Sequence, residues 1–184
     1  MKKILTVFSM VALVTACSES ASLTEQDKAA VLQIEDLALW IEGFEPDPTK
    51  GSLVKTKEFD KSYDIEYTYE DEEGDTPLYL YHSVSVQPSS SDAMIVHKAM
   101  GFGTWIGSGE TNLVTRNDLF SWGDESEFCL WQTESGDTFG NYFTGRKGKK
   151  VVLIAISGVY FDDPEAIREL LAEKLEALER LPVP

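Results

Sequence analysis

An α+β fold is predicted for this chain, with a mainly antiparallel sheet of five to six strands, an N-terminal helix, a short middle helix and a C-terminal helix. Three features predict it. Apolar residues recur at helical spacing after residue 22 and again at the C-terminus, and period-2 alternation fills much of the middle. The strand candidates follow one another closely enough to be joined as hairpins, with helices between the pairs and at the ends. Apolar content (42%) and charged content (26%) are ordinary, as in a folded rather than a disordered chain.

The first segment stands apart from that fold. Lys2 and Lys3 precede an apolar run from Ile4 to Val14, and small residues follow, the pattern of a secretory signal peptide. The run is too short for a permanent transmembrane helix. Val14-Thr15-Ala16-Cys17 resembles the lipobox of bacterial lipoproteins. That resemblance implies cleavage before Cys17, thioether lipidation of Cys17 (with palmitate or a related acyl chain on the new N-terminus) and a membrane anchor of several chains, each buried CH2 contributing about 0.8 kcal/mol. Ser18, rather than Asp, in second position implies the outer membrane, facing the periplasm. An ordinary secretory peptide is the alternative. The expected organisation is residues 1–16 as cleaved signal peptide, 17–22 as lipidated tether and 23–184 as one globular α+β domain.

The elements of that domain can be justified in order. Ser22 with Glu25, or Thr24 with Asp27, offers a capping box, and Ala30, Ile34, Leu37, Ala38 and Ile41 then recur at helical spacing up to Gly43. After Pro46-Asp47-Pro48 the period changes to 2: Tyr63, Ile65, Tyr67 and Tyr69 alternate with Asp64, Glu66 and Thr68. The acidic run Glu70–Asp75 turns the chain into a second strand, Leu78 to Val86. Ser89-Ser90-Ser91-Asp92 can cap a short helix over 92–100, followed by the glycine-rich stretch GFGTWIGSG, 101–109, read as a flexible connection about Trp105. Three more strands are expected over 112–120, 127–132 and 138–146. Lys147-Gly148 then turns into Val151–Ile156, the most apolar run after the signal segment and a candidate central strand. Asp162-Asp163-Pro164 opens the last helix, with Ile167, Leu170, Leu171, Leu175 and Leu178 on its core face and a Glu176–Arg180 pair on its surface.

This order of elements, over Leu53 to Leu181, weakly resembles the PsbP-like fold of small exported and thylakoid-lumen proteins. What it implies is an accessory or assembly role more than catalysis; fold alone does not assign function.

Charge excludes some partners. The chain has 16 Lys+Arg against 32 Asp+Glu, and loss of Lys2 and Lys3 takes the formal charge from −16 to −18. Such a surface is repelled by nucleic acid and by anionic headgroups, so no nucleic-acid partner is expected. It suits solubility, or a cationic ligand or basic partner. If lipid consumes Cys17, Cys129 is left without a disulfide partner. Its place in Glu127-Phe128-Cys129-Leu130-Trp131 reads as an interior strand holding a buried, inert thiol.

Catalytic and metal chemistry find little support. The run Glu70–Asp75 lacks EF-hand spacing, and His82, His97 and Cys129 are too scattered in sequence for a structural zinc site. No metal and no cofactor are expected. There is no GxSxG, SxxK or HExxH pattern, and GFGTWIGSG lacks the lysine and spacing of a phosphate loop. His82, between Leu80 and Val84, reads as a satisfied core histidine; His97 lies at the edge of a helix's apolar face. Arg146, Lys147, Lys149 and Lys150 form one basic cluster at the last hairpin, which can keep an edge soluble or touch phosphates. The candidate ligand or partner site is Tyr63, Tyr67, Tyr79 and Tyr81 with Trp105 of the glycine-rich stretch, cross-strand aromatic packing being the alternative. The expected function is a lipid-anchored, periplasm-facing binding or accessory module of the bacterial envelope, held to the membrane through Cys17 and engaging an envelope protein or small ligand. A lipid-tethered hydrolase using carboxylates or His82 is the alternative, as is an inhibitor or immunity-type lipoprotein acting on a basic partner.

Overall fold

In the computed structural model, which describes residues 19–73, 77–107 and 112–184 and only the backbone of 102–107, eight strands form one sheet. They are β1 (Glu19–Ser20), β2 (Gly51–Lys57), β3 (Tyr63–Asp71), β4 (Leu78–Val86), β5 (Asn112–Thr115), β6 (Glu125–Gln132), β7 (Thr138–Lys147) and β8 (Lys150–Ser157). The helices are α1 (Glu25–Ala29), α2 (Ile34–Ala38), α3 (Ser90–Gly107) and α4 (Pro164–Arg180), with a 3-10 turn at Pro48–Lys50. Strand order is β1-β2-β3-β4-β8-β7-β6-β5, antiparallel throughout. Thus β1–β4 and β5–β8 each add strands in sequence order, and the two runs meet at their last members. Each run is followed by a long helix, α3 after β4 and α4 after β8, and these cover opposite faces of the sheet.

Alternation decides which face each side chain joins. On the α4 face, Ile65, Leu80, Val84, Val152, Ile154, Ile156, Phe128 and Phe143 meet Ile167, Leu171, Leu175 and Leu178 of α4 in one large core, with Ile34 and Leu37 of α2. The α3 face is thinner: Cys129, Trp131, Tyr142, Leu153 and Ala155, with Met100, Tyr81, Leu113 and Phe139 packed against them. β8 lies between β4 and β7, and its Lys150–Ile156 are all buried, as its unbroken apolar run predicts. Asp163 caps α4 by accepting from the Glu165 N–H at 3.1 Å, with Pro164 in the first turn.

Several expectations are corrected. The sheet has eight strands, not five to six: β2 carries only Leu53 and Val54 as apolar residues, and β1 has two residues, so neither shows a period. Within the segment read as tether, Glu19 pairs with Lys57 and Ser20 with Thr56. The N-terminal helix is two short helices. The capping box of Thr24 and Asp27 starts α1 as expected, but the N–H groups of Leu32 and Ile34 then donate to His82 Nδ1 (2.7 Å) and to the Tyr67 hydroxyl (3.2 Å). Those side-chain acceptors break the helix between them and seat Val31 and Leu32 in the core.

The middle helix is longer than expected. Ser89 Oγ accepts from the Asp92 N–H, and the helix runs on through Gly101 to Gly107 instead of yielding to a loop. Packing of Met100 on the sheet offsets the roughly 1 kcal/mol that each interior glycine costs. The strand expected over 112–120 ends at Thr115, because Asn117 Oδ1 accepts the Phe128 N–H and ends the ladder.

Candidate functional site

The structure separates the residues proposed as one site. In the β3–β4 ladder Tyr63 pairs with Val86, Tyr67 with His82 and Tyr69 with Leu80. Odd-numbered residues of β3 therefore share a face with even-numbered residues of β4. Tyr63 and Tyr67 belong to the α4 face, 6% and 4% exposed, and are used internally: the Tyr63 hydroxyl donates to the Pro182 carbonyl at 2.6 Å, and the Tyr67 hydroxyl takes the Ile34 N–H. Burial pushes the Tyr63 phenol up to about 12. Tyr79 and Tyr81 lie on the α3 face, half-buried. Trp105 falls within α3, and its side chain lies outside the described residues, as do Cys17 and the residues 108–109 that close the glycine-rich stretch.

Around Tyr79 and Tyr81, among the described residues, lies a stretch of sheet that α3 does not cover. That helix packs over β4, β7 and β8, while on β2 and β3 the same face presents exposed Val54 and half-buried Asp64, Glu66 and Thr68. The Tyr81 hydroxyl donates to Glu66 Oε1 at 2.8 Å. Burial, then the Glu66 charge, raises the Tyr81 phenol far above its ordinary range, and burial with Glu70 and Glu66 pushes Tyr79 up to about 12. Burial also raises the Asp64 carboxyl, against a hydrogen bond from Ser85. Two phenols that stay protonated beside carboxylates make an aromatic, acceptor-rich surface, suited to a cationic group.

A second polar cluster lies under α3. His97 Nδ1 is 3.5 Å from Glu125 Oε2, and Arg146 Nε is 3.8 Å from the same oxygen. Burial holds the imidazole below its ordinary value, Glu125 opposes that, and Arg146 adds to it. A neutral imidazole beside a carboxylate and a guanidinium is the raw material of acid–base catalysis, but catalysis also needs room for a substrate. Two cavities among the described residues lie elsewhere. One, of about 20 Å³, is apolar and lies under α4 between Phe128, Phe143 and Leu171; it is a packing void. The other, of about 290 Å³, is an open cleft between α1 and α4 lined by Ala29, Glu173, Lys174 and Arg180.

The remaining candidates serve the fold. His82 is 1% exposed and accepts the Leu32 N–H; burial depresses it to about 3, so it is neutral at pH 7. Cys129 is 1% exposed, and burial pushes its thiol up to about 11, the opposite of a reactive thiolate. Three of the four basic hairpin residues bind their own chain: Arg146 to Asp124, Lys147 to Glu179, and Lys150 to the Glu179 carbonyl. Lys50 bridges Asp71 and Glu73 of the acidic run, at 2.8 and 2.9 Å.

Two features escaped the sequence reading. Asp27 and Lys55 form an ion pair at 2.7 Å, both side chains under 10% exposed, which fastens α1 to β2. Burial raises the Asp27 carboxyl, but hydrogen bonds from Lys55 and Thr24 outweigh it, and the net shift is downward. The other feature is Phe59, 95% exposed in the β2–β3 turn. Neither carries a local motif. The aromatic in a polar turn, Glu58-Phe59-Asp60-Lys61, is the one signal that was readable. Compared with protein-family models, characterised proteins and solved structures, the chain matches none at a significant level.

Proposed function

We propose that this chain is a lipid-anchored envelope protein that works by binding, holding one α+β domain at the periplasmic face of a membrane, with the outer membrane as the expected site. The observation that carries the reading is Val14-Thr15-Ala16-Cys17 placed only two residues ahead of the first strand. Cys17 would carry the lipid. The accessory role implied by a PsbP-like order of elements agrees with it. Among the described residues no helix is long and apolar enough to cross a membrane, and the lipid supplies the attachment.

The binding surface we favour is the open sheet beside α3, with Tyr79, Tyr81 and Glu66, and its partner is a basic segment of an envelope protein or a cationic small ligand. Trp105 of α3 belongs to the same proposed surface. A domain of such negative charge attracts that chemistry over distance as well as in contact. Labelled palmitate and the intact mass of the mature protein test the anchor: incorporation is expected, and Cys17→Ser should abolish both the label and the membrane fractionation. Cross-linked capture from envelope extract, compared between the natural chain and Glu66→Lys, tests the surface. Turnover by the purified protein on a panel of hydrolase substrates would favour the hydrolase reading instead.

A further inference from the structure

The anchor enters the fold at a defined corner. Glu19 pairs with Lys57, the last residue of β2, and Cys17 is joined to Glu19 through Ser18 alone. Two residues reach about 7 Å at full extension, so the corner where β2 ends stays close to whatever holds Cys17. Beyond Lys57 the chain turns through Glu58–Ser62. The Glu58 N–H donates to the Ser62 carbonyl and the Lys61 N–H to the Glu58 carbonyl, with Lys61 in the left-handed region at φ 73°. That is a tight turn ending in a left-handed residue, and it throws its first central residue, Phe59, outward. Phe59 is the most exposed large apolar side chain among the described residues, at 95%.

Charge around this turn is balanced, Lys57 and Lys61 against Glu58 and Asp60, in a chain that is otherwise strongly acidic. Lys57 and Lys61 flank Phe59 and are exposed; Glu19 lies opposite Lys57 in the ladder, and among the described residues neither lysine forms a close ion pair. The Asp60 carboxylate is turned back onto the Ser62 N–H and hydroxyl, at 2.9 and 2.6 Å. Along the same end of the sheet the ladder runs Lys57–Tyr63–Val86–Lys150–Lys147. The Lys147–Lys150 hairpin therefore shares this rim, three strand spacings away, about 14 Å, with Lys147 paired to Glu179 and Arg146 to Asp124. The opposite rim carries exposed Glu72, Glu73, Asp162 and Asp163.

We infer that the β2–β3 turn is a second membrane contact: Phe59 inserts among the headgroups beside the Cys17 lipid, and Lys57 and Lys61 meet lipid phosphates. This rests on the lipid-anchor reading. Exposed apolar side chains such as Phe bury at the boundary of headgroups and acyl chains, and lysines place their charge at phosphate level while their stems stay apolar. The acidic rim then points away from the bilayer, and the domain is held in one orientation.

The test uses the full lipidated protein reconstituted in vesicles of phosphatidylethanolamine and phosphatidylglycerol. An environment-sensitive fluorophore is attached at Phe59→Cys or, as a control, at Leu39→Cys. Leu39 is 85% exposed, and its neighbour Trp40 packs on Phe161 beyond the far end of β8. Buried Cys129 leaves the label site-specific. Both substitutions are at exposed positions, so the fold is retained. The Phe59 label is expected to shift to the blue and to lose most of its emission to acyl-brominated lipid, the Leu39 label almost none. Two labels that respond alike would overturn the inference, and so would a blue shift without quenching, which would place a protein, not lipid, against the turn. Intact mass is read on the same sample. Absence of lipid on Cys17 removes the anchor reading and this inference together; lipid present with Phe59 in water removes this inference alone.

Discussion

The two faces of the sheet are built on different terms. The α4 face is a continuous apolar core running from Tyr69 to Leu178, with His82 as a fully buried polar group whose Nδ1 is satisfied and whose Nε2 is not. The α3 face has a small apolar patch, a polar cluster of His97, Glu125 and Arg146 beneath the helix and, among the described residues, uncovered sheet over β2 and β3. The difference separates two duties. One face supplies the stability; the other can leave polar and aromatic groups uncovered because the first carries the fold.

That division predicts a ranking of effects. The largest is expected at the fastening of α1 to the well-packed side. Asp27→Ala leaves the Lys55 ammonium buried without its partner and removes half of the capping box, and should lower stability by about 3–5 kcal/mol in urea unfolding. Replacing both residues with apolar ones, Asp27→Leu with Lys55→Met, should recover most of the loss. Failure to recover would mean that the pair itself, rather than the stranded charge, holds the N-terminal segment.

A cleaner comparison uses two neighbours in β8. Ile154 faces α4 and Leu153 faces α3, at 3% and 7% exposure. Ile154→Ala should cost about 4 kcal/mol and Leu153→Ala about 2, the spread expected when one site is walled in by a large core and the other can relax. Equal losses would break the comparison.

How much of this was legible depended on whether the information was local. β3, β4, β6, β7, β8 and α4 announce themselves because their apolar periods are long enough to count. β2 does not: near the sheet edge, with Val54 facing solvent, it is defined by pairing to β3 rather than by its own residues. The break between α1 and α2 depends on His82 and Tyr67, fifty and thirty-three residues away from the N–H groups they accept. The division of the four tyrosines between two faces was hidden for a related reason. Alternation within each strand was correct, but the relative parity of β3 and β4 is set by pairing through their loop, and a shift of one residue exchanges faces. The basic hairpin was visible as a cluster, whereas the ion pairs that occupy it come from Asp124 and Glu179, distant in sequence.

Acid should expose the weak point of the well-packed face. His82 takes a proton near 6.5 when unfolded and only near 3 when folded, so the unfolded chain binds more protons throughout that interval. Stability is then fully present above pH 6.5 and falls as pH drops, by about 1.4 kcal/mol per pH unit for this one group. His97, also depressed, adds to the slope. His82→Asn keeps an acceptor for the Leu32 N–H but cannot titrate. Urea midpoints between pH 6.5 and 5 should flatten in that variant, leaving the contribution of His97; an unchanged slope would show that the α4 face does not set the acid response.

The smallest effect is expected on α3, and it should be local. Ser89 Oγ accepts the Asp92 N–H at 3.1 Å and donates to the Asp92 carboxylate at 2.6 Å, a reciprocal clasp at the start of a helix that packs over the thinner patch. Ser89→Ala should cost about 1 kcal/mol. Because α3 rests on fewer apolar partners than α4, that loss should appear as local opening before it appears as global unfolding. Amide exchange should therefore quicken in the first turns of α3, at Ala93 and after, while β8 and α4 keep their protection. A uniform rise in exchange across β8, α3 and α4 would mean that the two faces unfold as one unit, and the open sheet beside α3 would then be as rigid as the core behind it.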